Sequence, residues 1–203
     1  MTSQLVKRLN EILPKITSPE FLSGQGLGNE IPFHIFDYEP EYETDIRKHL
    51  VFLEQQIQKQ FPDLSFKHVN LFEFLIRYLE GRNKFDKSLE MEERQGSEKT
   101  LKVISSVANA ESLAKHFADE VLSQNPGLVI VSGVGSAFPI IRTHELLNNL
   151  HKYMEATPLV VFYPGVYDKT TLKLFGKASL GHDSESSDRS RKSRYYRAFK
   201  LID

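Results

Sequence analysis

The residues of this chain best suited to chemistry lie in Val131-Ser132-Gly133-Val134-Gly135-Ser136-Ala137-Phe138-Pro139, where a continuous apolar run meets a helical one. In open α/β sheets, ligands gather at the carboxyl ends of strands, where glycines let backbone N–H groups approach phosphate. Gly133 and Gly135 are therefore the first candidates for a phosphate or nucleotide site. Arg142, His144 and Asp168 are the charged groups that follow the same strands. Each recognised motif nevertheless fails. The dinucleotide fingerprint needs a third glycine where Phe138 stands, and the P-loop pattern at Gly176-Lys177 ends in Ala178 and begins at Thr171 instead of glycine. Gly24-Gln25-Gly26-Leu27-Gly28 precedes a strand instead of following one. A hydrolase elbow needs glycines two positions either side of its serine, and neither Ser132 nor Ser136 has them. The plainer reading of Gly133 and Gly135 is a tight strand-to-helix turn.

Other groups give weaker signals. Asp37, Glu39, Glu41, Glu43 and Asp45 are oxygen ligands by type, but their spacing fits no calcium loop, and acids at a helix N-terminus account for them. The seven histidines include no close ligand pair; His144 and His151 lie seven apart on an expected helix. Arg142 has the fork geometry to hold a phosphate or a partner carboxylate, or it is simply solvated. Arg189, Arg191, Lys192, Arg194 and Arg197 form the one basic cluster, beside Tyr195 and Tyr196, but Asp183, Glu185 and Asp188 dilute it. No metal or cofactor is expected.

Composition narrows the class further. Net charge is −1 over 203 residues, so no global basic field holds a polyanion, and independent sequence-specific nucleic-acid binding is not expected. Cysteine is absent, which removes disulfides, thiolate nucleophiles and zinc–sulfur sites and suits a reducing cytoplasm. No apolar run approaches the roughly 18 residues that span a bilayer, and the N-terminus has no signal-peptide pattern. The chain reads as one domain, 1–203, with its own core.

The elements that must position the candidates follow from periodicity. Leu5, Leu9, Ile12 and Ile16 mark an amphipathic helix, and Ile46, Leu50, Leu53 and Ile57 mark another, opening near Glu39-Pro40-Glu41. Strands are expected at 32–37, 65–71, 128–132 and 158–163, the last stopped by Pro164-Gly165, with an edge strand over 195–202. Helices are expected through Glu80, over 101–107 and 113–122, and from the glycine turn to Leu150; residues 81–99 read as a solvated helix or loop. Continuous apolar strands alternating with helices predict a three-layer α/β fold: a mostly parallel sheet of about five strands, helices on both faces, like a degenerate nucleotide-binding domain. The serine- and charge-rich stretch 178–194 reads as a mobile, low-complexity loop.

Four stretches carry a resemblance beyond spacing: 129–139 followed by 142–150; Pro158-Leu159-Val160-Val161-Phe162-Tyr163-Pro164-Gly165-Val166-Tyr167-Asp168; Leu172-Lys173-Leu174-Phe175-Gly176; and Tyr195-Tyr196-Arg197-Ala198-Phe199. Together with Ile35-Phe36-Asp37-Tyr38-Glu39-Pro40-Glu41, they resemble the B component of BREX bacteriophage-exclusion systems, the BrxB-like family. The resemblance implies an antiphage role beside a large ATPase, a DNA methyltransferase and a PglZ-type protein of the alkaline-phosphatase superfamily, with no catalytic residues to carry over. The chain departs from the family in its longer link over 178–194. The expected function is a non-catalytic adaptor that docks onto the PglZ-like protein, with the ATPase or methyltransferase as further partners. The alternative is a nucleotide- or phosphate-binding domain with regulatory or weak enzymatic activity at Gly133 and Gly135.

Overall fold

In the computed structural model, the two continuous apolar runs become inner strands of a single sheet. The structure describes residues 1–24, 33–154, 157–176 and 198–203. The strands are β1 (Phe33–Tyr38), β2 (Phe66–Asn70), β3 (Leu128–Ser132), β4 (Leu159–Tyr167), β5 (Leu172–Leu174) and β6 (Phe199–Lys200). They lie in the order β2-β3-β4-β1-β6 with every pairing parallel, and β5 adds to β4 in antiparallel sense. Every residue of β3 is buried, as is all of β4 except Val166, because helices cover both faces.

The helices are α1 (Ser3–Ile16), α2 (Pro19–Leu22), α3 (Glu43–Gln60), α4 (Leu71–Glu80), α5 (Phe85–Gln95), α6 (Ser97–Val107), α7 (Ala110–Glu120), α8 (Val134–Ala137) and α9 (Thr143–Leu150). The apolar stripes of α1 and α3 pack on Phe36, Ile130, Val160 and Phe162. On the opposite face, α4, α7 and α9 pack on Ile35, Val129, Val131 and Val161. Alternate residues of one strand thus feed two cores, the period-2 logic of a sheet covered on both sides. Helix α5 buries no residue, in keeping with its polar sequence.

Three expectations change. The helix expected from the glycine turn to Leu150 is two helices, because proline at 139 lacks an N–H and holds Phe138 in extended geometry (φ −71°, ψ 141°). Pro164-Gly165 does not stop β4. There the strand leaves its partner β1, where Tyr38 pairs with Pro164, and takes β5, where Gly165 pairs with Leu174. Strand β5 itself was not expected. At the start of the second amphipathic helix, Pro40–Tyr42 forms a 3-10 turn and α3 begins at Glu43. The loop expected over 178–194, and residues 195–197 of the expected edge strand, lie outside the described residues; Phe199–Lys200 does lie at the sheet edge beside β1.

Candidate functional site

Gly133 turns the chain from β3 into α8 with φ +69°, a left-handed conformation that glycine adopts at no steric cost. A Cβ at this position would lie 2.2 Å from Asn70 Oδ1. Asn70 ends β2 and caps α4, accepting from the backbone N–H groups of Phe72 at 3.0 Å and Glu73 at 3.4 Å. The glycine turn and the neighbouring cap are therefore built against each other. Gly135 meets the β4–β5 hairpin: its Cβ position lies 3.1 Å from the Phe175 ring and 3.2 Å from Pro164. Phe175 is held there by its backbone N–H, which donates to Pro164 O at 2.9 Å, and it meets Phe138 edge-on at 6.4 Å. Phe138 and Phe175 stay 46% and 43% exposed, and Val166 on the same hairpin 48%.

Polar contacts close this end of the sheet from the other side. The Tyr38 hydroxyl donates to Glu43 at 2.5 Å, and Arg47 bonds both Glu43 (2.9 Å) and Ser136 Oγ (3.2 Å), tying β1 and α3 to α8. Burial, then the Glu43 hydrogen bond, pushes the Tyr38 hydroxyl far above its ordinary range, so it stays a donor.

The remaining predicted residues lie on other elements. Arg142 stands at the start of α9 with half its side chain exposed, 3.9 Å from Glu145. It lines a half-open cleft of about 440 Å³ between the α6–α7 corner and the α8–α9 loop, with Leu101, Ser105, Leu113 and Ile141. His144 is exposed and 3.8 Å from Glu145. Asp168 organises the β4–β5 turn. It accepts from the side chains of Thr170 and Thr171 and from both their backbone N–H groups, and these bonds, led by the Thr170 hydroxyl, hold its carboxyl well below the usual carboxylate range. Of the five residues, Gly133 caps α8 and Gly135 lies within it, Arg142 caps α9 and His144 lies in its first turn, and Asp168 turns the β4–β5 hairpin that meets Gly135.

One cluster escaped the sequence motifs. His68 on β2 places Nε2 2.7 Å from Ser132 Oγ on β3, while its Nδ1 contacts the Glu54 carboxylate on α3. No local signal links 54, 68 and 132; the β2–β3 register, with Asn70 opposite Ser132, sets His68 beside Ser132, and the packing of α3 on that face adds Glu54. Among the described residues, no group of three or more His, Asp or Glu is placed to hold a metal ion, and no helix is long and apolar enough to cross a membrane.

A family described as "BREX protein BrxB" matches residues 67–201 of the chain. A protein of Bacillus cereus (strain H3081.97), named BREX protein BrxB, is 40% identical over 201 residues, covering 97% of this chain and 97% of that one. A protein of Escherichia coli O9:H4 (strain HS) with the same name is 33% identical over 195 residues, covering 96% of this chain and 90% of its own. No solved structure matches.

Proposed function

We propose that this chain, which belongs to the BrxB family of BREX proteins and so is a component of a phage-defence system, serves that system as a docking adaptor. Its direct partner is the PglZ-like protein, and its docking surface is the carboxyl end of the sheet. The observation that carries this reading is the exposed apolar patch of Phe138, Phe175 and Val166 on the edge where Gly135 meets the β4–β5 hairpin. Large apolar side chains left exposed together mark interaction surfaces, and aromatic residues dominate the energy of such interfaces. Phe138 and Phe175 meet edge to face, and the Phe175 backbone is bonded to Pro164, so the fold places both rings before a partner arrives. Little ordering entropy then opposes association.

The experiment is co-purification of this chain with the tagged PglZ-like protein from cells that carry both. A Phe138→Asp/Phe175→Asp double variant should fall to a tenth of wild-type recovery or less, since a truncated hot spot costs about 2 kcal/mol or more. Both side chains are nearly half exposed, but Phe175 also packs on Gly135 and Phe138, so recovery is compared only after circular dichroism shows the variant to be folded. Equal recovery of variant and wild type would move the interface elsewhere. Failure of the wild-type chain to co-purify would remove the PglZ-like protein as its direct partner.

A further inference from the structure

We propose that Ser132, His68 and Glu54 form a nucleophilic triad, an acyl-transfer site that cleaves small activated esters. It involves neither the Phe138–Phe175 patch nor the docking reading.

The geometry has the order such chemistry needs. A carboxylate can only accept, so Glu54 at Nδ1 places the neutral imidazole's proton on that nitrogen. Nε2 is then the bare acceptor, and Ser132 Oγ–H donates to it at 2.7 Å, within the reach of a general base. Nucleophile, base and orienting acid come from three different elements, β3, β2 and α3. Such triads are recognised by geometry and roles, not by sequence order or by the elbow motif this chain lacks. Ser132 stands at the carboxyl end of its strand, where reacting groups of α/β sheets collect.

Access limits the substrate. Ser132 keeps only 6% of its surface, whereas the side chains of His68 and Glu54 are about a quarter exposed. So little exposure at the nucleophile limits any substrate to a small acyl group and excludes a folded peptide.

In the first step, Ser132 Oγ bonds to the acyl carbon, its proton passes to His68 Nε2, and the ester C–O bond breaks. The alcohol leaves with that proton. Water, deprotonated by His68, then attacks the acyl-serine, releasing the carboxylic acid and restoring Ser132; one water is consumed per ester.

The test is labelling of the purified full chain with a fluorophosphonate, read by intact mass and peptide mapping, alongside hydrolysis of p-nitrophenyl butyrate. The expected result is a single adduct at Ser132, absent from Ser132→Ala, and a labelling rate at least about a hundredfold lower in His68→Gln, the low end of what a general base supplies. Glu54→Gln, at a side chain about a third exposed, should slow labelling while the chain stays folded. An unlabelled wild-type chain, an adduct at any other residue, or wild-type labelling of His68→Gln would overturn the proposal. The wild-type peptide map decides the matter even where a core variant fails to fold.

Discussion

Arg8 and Asp37 lie 29 residues apart and meet at 2.8 Å, with Asp37 only 9% exposed and Arg8 16%. This pair ties α1 and the segment after β6 to the inner strand β1. Arg8 on α1 also donates to Asp37 O at 2.9 Å and to Ile202 O at 3.4 Å, and its guanidinium lies over the Phe36 ring. The Asp37 carboxylate further accepts from Tyr167 N at 3.0 Å and faces Lys200 Nζ at 3.4 Å. Removing one partner of a buried, hydrogen-bonded pair strands the other charge, so Asp37→Ala should destabilise the protein by about 3–5 kcal/mol. Urea unfolding measures it. A loss under 1 kcal/mol would show that water takes over the role of Asp37.

Gly165→Ala should separate β5 from β4. A methyl group there would lie 2.2 Å from the Lys173 carbonyl oxygen and 3.0 Å from Phe175 N, both backbone atoms that cannot swing aside. Overpacking of this kind costs roughly 1–3 kcal/mol. Because Phe175 sits on the displaced segment, recovery of the proposed PglZ-like partner should fall along with the melting temperature. Retained partner recovery in a destabilised Gly165→Ala protein would separate the hairpin from docking.

The stability of the protein should fall on mild acidification through His34. Its ring packs between Phe21 (4.5 Å) and Phe199 (5.8 Å), and burial, with a smaller push from Lys15, lowers its pKa from 6.5 to about 4. Between these values the unfolded chain binds a proton that the folded chain does not, so stability rises with pH across that window. Falling from pH 6.5 to 4, the His34 contribution should drop by up to about 3 kcal/mol and then level off. His34→Phe should flatten that part of the pH–stability curve. An unchanged slope would assign it to other groups.

Arg142→Glu should leave folding almost untouched, within about 0.5 kcal/mol, because half the side chain is exposed and its contact with Glu145 is long at 3.9 Å. Its effect belongs to binding. Where the cleft beside α6 is part of the docking surface, recovery of a BREX partner should drop severalfold or more. Unchanged recovery of every partner would remove Arg142 from the interface.

Local pattern carried the secondary structure a long way. Leu5, Leu9, Ile12 and Ile16, and again Ile46, Leu50, Leu53 and Ile57, are the buried stripes of their helices, because helical spacing is a property of neighbours in the chain. The continuous runs at 128–132 and 159–163 announced inner strands, since only burial on both faces tolerates such runs. Family membership, too, was legible from residues alone. The extension of β4 through Pro164-Gly165 was not, because those residues stop a strand in isolation and continue one only when β5 folds back to pair with it. Nor were the neighbours of the glycine loop: Asn70 against Gly133 and Phe175 against Gly135 meet through sheet register and hairpin return, contacts 63 and 40 residues apart that leave no local trace. The same holds for Glu54, His68 and Ser132, and for Arg8 and Asp37. Periodicity decides which side of an element is buried; only the strand order and register of the folded sheet decide which polar groups that burial brings face to face.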